Sequence, residues 1–125
     1  MCERRMKWMQ PIVIEELQQE INKRANKQVY VHLETTNGAY ASHFNDQAYN
    51  VGAFIRNAKV SYERGKVVGA NNVYRVGLKM DIGWIYAEGI SQFEIDDNNA
   101  LLMAGHDREG RLMVALQISE QPFHY

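Results

Sequence analysis

Residues 30–44 read YVHLETTNGAYASHF, and the meaning given to this stretch decides the fold class. Val29, Val31 and Leu33 alternate with Tyr30, His32 and Glu34, the period of two of a strand with one face turned inward. Asn37-Gly38 is a dipeptide favoured in type I′ turns, where both central residues take positive φ. The pattern predicts a hairpin with strands over 28–36 and 39–45. With a two-residue turn, Thr36 faces Ala39, Glu34 faces Ala41 and His32 faces His43. A three-residue loop with Gly38 in a G1 bulge instead sets His43 opposite Val31. The first register gathers Val31, Leu33, Tyr40 and Phe44 on one side, and is preferred for that reason.

Upstream, only residues 11–25 carry a helical period. Val13 or Ile14, Leu17, Ile21 and Ala25 recur at three or four, with Glu15, Glu16, Gln18, Gln19 and Lys23 on the other side. Pro11 suits a first helical position, the early glutamates and late Lys23, Arg24 and Lys27 match the macrodipole, and Asn26 can close the end. Downstream everything reads as strand. AYNVGAFIRNAKVSY (48–62) is a long one, with Gly52 or Arg56-Asn57 as bulge points, followed by a turn near Arg64-Gly65. Tyr74, Val76, Leu78 and Met80 alternate with Arg75, Gly77 and Lys79, and Asp81-Ile82-Gly83 turns that strand back into WIYAEGI. FEI, LLMAGH and RLMVALQIS complete the set, separated by the polar turns 96–99 and 107–110. The expected architecture is mainly β (α+β): an antiparallel β-barrel or strongly curled meander sheet of about eight strands, with one N-terminal amphipathic helix across an opening or face. Residues 1–10 are expected to be a poorly ordered lead-in, and 11–125 a single domain.

Composition limits the function. A chain of 125 residues with 46% hydrophobic and 23% charged residues can bury one core without staples. Its net charge of −1 gives no global pull toward a polyanion or an anionic membrane. One cysteine, Cys2, excludes an internal disulfide and fits a reducing cytoplasm. No run approaches the length of a membrane span, and no apolar segment follows the basic N-terminus as in a secretory signal.

Three groups of residues carry candidate chemistry. In the preferred register His32 and His43 are directly opposed, with Glu34 one step along the same face. Two imidazoles at that separation suit Zn²⁺ or another divalent transition metal, with Glu34 as oxygen ligand or general base and His106 or Glu88 as a further group. The bland alternative is a solvated polar hairpin face. Phe54, Arg56, Tyr74, Arg75, Lys79, Trp84 and Tyr86 resemble the aromatic and basic platform of a single-strand nucleic-acid binder. The charge balance opposes this, and alternating Trp84 and Tyr86 are expected in the core. His106 beside Asp107 reads as an oriented base or, more simply, a polar turn. No serine sits in a Gly-rich elbow and no phosphate loop is present.

Taken together, VYVHLETTNGAY, AFIRNAKVSY, YRVGLKMDIGWIYAEGI, LLMAGH and LQISEQPF resemble the YojF-like family of small proteins from Bacillus-type bacteria. The resemblance runs from about residue 28 to the end. It implies a mainly-β single domain with an N-terminal helix, and brings no catalytic residues. Genes of that family often neighbour a zinc-dependent N-deacetylase of low-molecular-weight thiol synthesis, which implies a pathway-accessory role with a protein partner from that pathway. The expected function is a non-catalytic cytoplasmic binding or interaction protein without a cofactor, a homodimer that meets neither nucleic acid nor membrane. The alternatives are a metal-dependent enzyme of small-molecule metabolism built on His32, His43 and Glu34, and a single-strand nucleic-acid binder.

Overall fold

The structure, a computed structural model, describes residues 9–36 and 52–124. Its elements are β1 (Gln10–Pro11), α1 (Ile14–Lys23), β2 (Val29–Thr36), β3 (Gly52–Val60), β4 (Arg64–Ala70), β5 (Val73–Lys79), β6 (Trp84–Ile90), β7 (Gln92–Ile95), β8 (Leu101–His106) and β9 (Leu112–Ser119). All described pairings are antiparallel, in a six-stranded sheet of order β1-β7-β8-β9-β2-β3 and a three-stranded sheet of order β4-β5-β6. Mainly-β, antiparallel and single-helix is thus the observed class.

The alternation read in the sequence explains the core. Val29 and Val31 of β2, Val76 and Leu78 of β5, Leu101 and Met103 of β8 and Leu116 and Ile118 of β9 all turn inward into one buried cluster. Leu17 and Ile21 of α1 complete it from the side. The two sheets join where β6 runs through Ser91 into β7. There Gly89 takes φ +90°, and a Cβ on Gly105 would sit 1.8 Å from the Gly89 carbonyl oxygen. Two bare backbones make that crossing.

The helix starts three residues later than expected. Gln10 and Pro11 pair with Phe93 and Gln92 as an edge strand, a site where proline's missing N–H costs nothing. At its end Asn26 adopts φ 62°, and its N–H donates to the Tyr62 carbonyl at 2.7 Å. Gly65 is not a turn residue but lies within β4, because α1 passes so close that a Cβ there would meet Ile21 Cγ2 at 2.3 Å. The same contact brings Gln18 onto the open side of β4. Its Nε2 donates to the Gly65 carbonyl at 2.9 Å, and its Oε1 accepts from the Val67 N–H at 3.1 Å.

The expected 39–45 strand and its Asn37-Gly38 turn lie outside the described residues. The ladder around β2 nevertheless corrects the hairpin register. Glu34 pairs with Phe54 of β3 on one side and Ala115 of β9 on the other, and His32 pairs with Gln117 of β9. On the β3 side the register steps from Val31–Ala58 to Leu33–Ile55. His32 therefore faces the two residues Arg56 and Asn57, the bulge foreseen in the sequence. The places opposite Glu34 and His32 are filled by strands distant along the chain. On the β9 side that pairing buries Val114, Leu116 and Ile118.

Candidate functional site

The bulge builds the candidate site. Asn57 takes φ 59°, a left-handed conformation that asparagine tolerates, and the extra residue aims Arg56 toward β2. Arg56 Nη1 lies 3.2 Å from His32 Nδ1, and His32 Nε2 lies 3.3 Å from Glu34 Oε1. The imidazole is only 4% exposed. Phe54 meets it edge-on at 4.9 Å between centroids, and Phe123 of the C-terminal segment covers it at 6.4 Å.

This geometry fixes the histidine's tautomer. A guanidinium has donors and no acceptor, so Nδ1 must present its lone pair to Arg56 and the ring proton sits on Nε2, donating to Glu34. Neither ring nitrogen retains a free lone pair. Within this hydrogen-bond order, a metal at Nε2 would have to displace that proton, and one at Nδ1 would meet the guanidinium.

The C-terminal segment is part of the same assembly. Asn57 Nδ2 donates to the Phe123 carbonyl at 2.8 Å, and Asn57 Oδ1 accepts from the Phe123 N–H at 2.7 Å. Arg56 Nη2 donates to the His124 carbonyl, and its guanidinium lies over the Phe123 ring at 5.2 Å. Behind the segment lies a cavity of about 340 Å³, bounded by Asp96, Asn98 and Ser119 on one side and by Gln121, Phe123 and His124 on the other. Its turn is held by Asp96 Oδ1, which accepts from the Asn98 and Ala100 N–H groups at 2.9 Å each.

The other candidates are not drawn to this site. His43 and Cys2 lie outside the described residues. Glu88 pairs with Arg75 at 2.9 Å on the three-stranded sheet. His106 ends β8, exposed, and its neighbour Asp107 is committed elsewhere: the Arg111 backbone N–H, helped by the Arg111 side chain, holds that carboxyl below the usual carboxylate range. Among the described residues no group of three or more His, Cys, Asp or Glu converges on a metal position. Nor is any described helix long and apolar enough to cross a membrane.

A second feature reverses an expectation. Trp84 and Tyr86 are not core residues but lie on the outer face of β6, 38% and 52% exposed. Their rings are parallel within 8° and 5.3 Å apart. Sequence alternation identifies which residues share a face but not which face is covered. Here Val76, Leu78, Ala87 and Ile90 fill the inner side.

The fold and site define a small antiparallel two-sheet protein with an N-terminal helix and a buried, internally hydrogen-bonded histidine. Residues 11–123 match the family described as "Protein of unknown function (DUF1806)", and the chain belongs to that family. It is 50% identical over 115 residues to "Uncharacterized protein YojF" of Bacillus subtilis (strain 168), covering 92% of this chain and 98% of that protein. It is also similar to the crystal structure of Bacillus subtilis YojF, with a TM-score of 0.76 and 44% identity over 94% of this chain and 98% of that one.

Proposed function

We propose that the chain is a non-catalytic cytoplasmic binding protein that works as a homodimer in an accessory role to a small-molecule pathway. The observation that carries this reading is the closed hydrogen-bond order Arg56–His32–Glu34, sealed beneath Phe123. A general base or a metal ligand needs a free lone pair facing substrate, and this imidazole has none. The rival, a metal-dependent enzyme using His32, Glu34 and His43, would have to break the Arg56 contact first. Support for the dimer comes from β3, the end strand of its sheet among the described residues, where Phe54 and Ile55 are 65% and 46% exposed. Patches of this kind are commonly closed by a symmetric copy. The single cysteine fits a reducing compartment. The family resemblance makes a protein of thiol synthesis the first partner to try. In the same reading the two sheets are halves of one strongly curled meander, joined through Ser91.

Two measurements on untagged protein test this. Light scattering is expected to give twice the 14.5 kDa chain mass, and a mass of one chain would remove the dimer. Elemental analysis is expected to find no stoichiometric Zn, Mn, Fe or Ni, with the melting temperature indifferent to chelator. One metal per chain together with a chelator-sensitive Tm would replace this reading with the metal-enzyme one.

A further inference from the structure

The cavity of about 340 Å³ behind the C-terminal segment has two unlike walls. One is the 96–100 turn, pinned by Arg24, a buried guanidinium whose Nη2 donates to the Asn99 carbonyl at 2.9 Å. The other is the segment 121–124, which lies outside the sheets and is fastened by side chains of the β3 bulge. Asn57 holds the N–H and the carbonyl of Phe123, and Arg56 holds the carbonyl of His124. Four polar side chains lining the space keep hydrogen-bonding capacity that the described residues do not use. Asp96 accepts the Asn98 and Ala100 N–H groups through Oδ1, which leaves Oδ2 without a donor. Ser119 accepts the Gln121 N–H at 3.1 Å, and its own hydroxyl proton has no acceptor. The side-chain amides of Asn98 and Gln121 are likewise uncommitted, while Pro122 and Phe123 add apolar surface. A few uncommitted polar groups over apolar surface, in a space at the lower end of the range of about 300–1,000 Å³, is the make-up of a small-molecule site.

We propose that this cavity binds a small hydroxyl-bearing organic ammonium ion, its ammonium group on the Asp96 carboxylate and its hydroxyls on Ser119, Asn98 and Gln121. The inference names a ligand class for the binding reading above and rests on it. Charge decides the class. Among the described lining residues Asp96 is the one carboxylate, and neither lysine nor arginine stands beside it. The other titratable residue of the lining, His124, is exposed to solvent. An anionic ligand would meet a like charge with nothing to offset it. An ammonium group instead gives Oδ2 the donor it lacks, in a charge-assisted hydrogen bond. The remaining groups, a hydroxyl and two amides, both donate and accept, which suits hydroxyl substituents. The volume limits the ligand to a compact molecule rather than a peptide or nucleic-acid strand.

Tris and pentaerythritol are matched probes. Both carry hydroxymethyl groups on one central carbon, and Tris has an ammonium group where pentaerythritol has a further hydroxymethyl. Titrated into the full chain in phosphate buffer near neutral pH, Tris is expected to shift the amide resonances of Asn98, Ala100, Gln121 and Phe123 saturably. Pentaerythritol should bind about three- to fivefold more weakly, the worth of one partly exposed ion pair. Asp96→Asn keeps an oxygen for the Asn98 and Ala100 N–H groups and removes the charge. It should level the two affinities with the melting temperature unchanged. Asn57→Gly retains the left-handed backbone and frees the Phe123 peptide. It should weaken Tris binding and speed hydrogen exchange at the Phe123 amide. Shifts that do not saturate, or that fall elsewhere on the chain, would overturn the proposal. Equal binding of the two probes would do the same, as would a preference for Tris that survives Asp96→Asn or Tris binding indifferent to Asn57→Gly. Mass and metal content read on the same preparation separate the cases, because a metal-free dimer that ignores Tris loses only its ammonium ligand.

Discussion

Arg56 decides what His32 can be. With a donor-only group on Nδ1, the imidazole is a neutral Nε2–H tautomer, a structural bridge between a cation and Glu34. Nitrogen chemical shifts of His32 should report that tautomer, and an Nδ1–H signature would refute the assignment. Arg56→Ala removes the donor from His32 and from the His124 carbonyl at once. It should cost about 1–3 kcal/mol in urea unfolding, the penalty for buried polar groups left unpaired. Tyr62 is the opposite case, a fully buried phenol whose OH donates to the Ile21 carbonyl at 2.5 Å. Burial pushes its pKa well above the ordinary 10.0, although the nearby Arg24 charge pulls it down. The raised folded-state value makes its contribution complete below 10.0 and progressively lost as pH climbs toward that value. Tyr62→Phe should therefore lower stability by about 1 kcal/mol at neutral pH. It should also blunt the alkaline decline; an equally steep decline in the variant would contradict the role given to this phenol.

Most elements were legible in the sequence, because period-two alternation coincides with burial wherever a strand has one core face. Val76 and Leu78 are inward as read, and the Arg56-Asn57 bulge forms where polar residues interrupt a long apolar strand, whereas Arg24 and not Asn26 caps the helix. The misreadings share a cause. Pro11 and Gly65 carry strong local meanings, a helix start and a turn. Both are overridden by a neighbour remote in sequence, β7 for Pro11 and α1 for Gly65. Helix α1 does more than cover the core. Through the Gln18 amide it satisfies one peptide's worth of donor and acceptor on the open side of β4. Gln18→Ala should destabilise the chain by about 1–2 kcal/mol. Hydrogen exchange at the Val67 amide should rise above that of the β5 amides, and unchanged protection there would refute the bracing role.

At the scale of the molecule, the sequence could not give the order of strands in space. His32 is enclosed by β3, by β9 and by residues beyond Ser119, partners separated from it by up to about ninety positions in the chain. No spacing rule predicts such an enclosure. One buried cluster nonetheless draws on α1 and on strands of both sheets, which makes a single cooperative unit. Thermal unfolding should show one transition by far-UV and near-UV signals alike, and separate transitions for the two sheets would contradict the shared core. The Gln18 brace has a consequence for how the protein ages. Deamidation to glutamate would leave an acceptor for the Val67 N–H but turn the group facing the Gly65 carbonyl from donor to acceptor. The β4 edge would then stand open to a strand from another molecule. In a long-stored preparation, slow growth of strand-sharing aggregates would start with the loss of one side-chain amide.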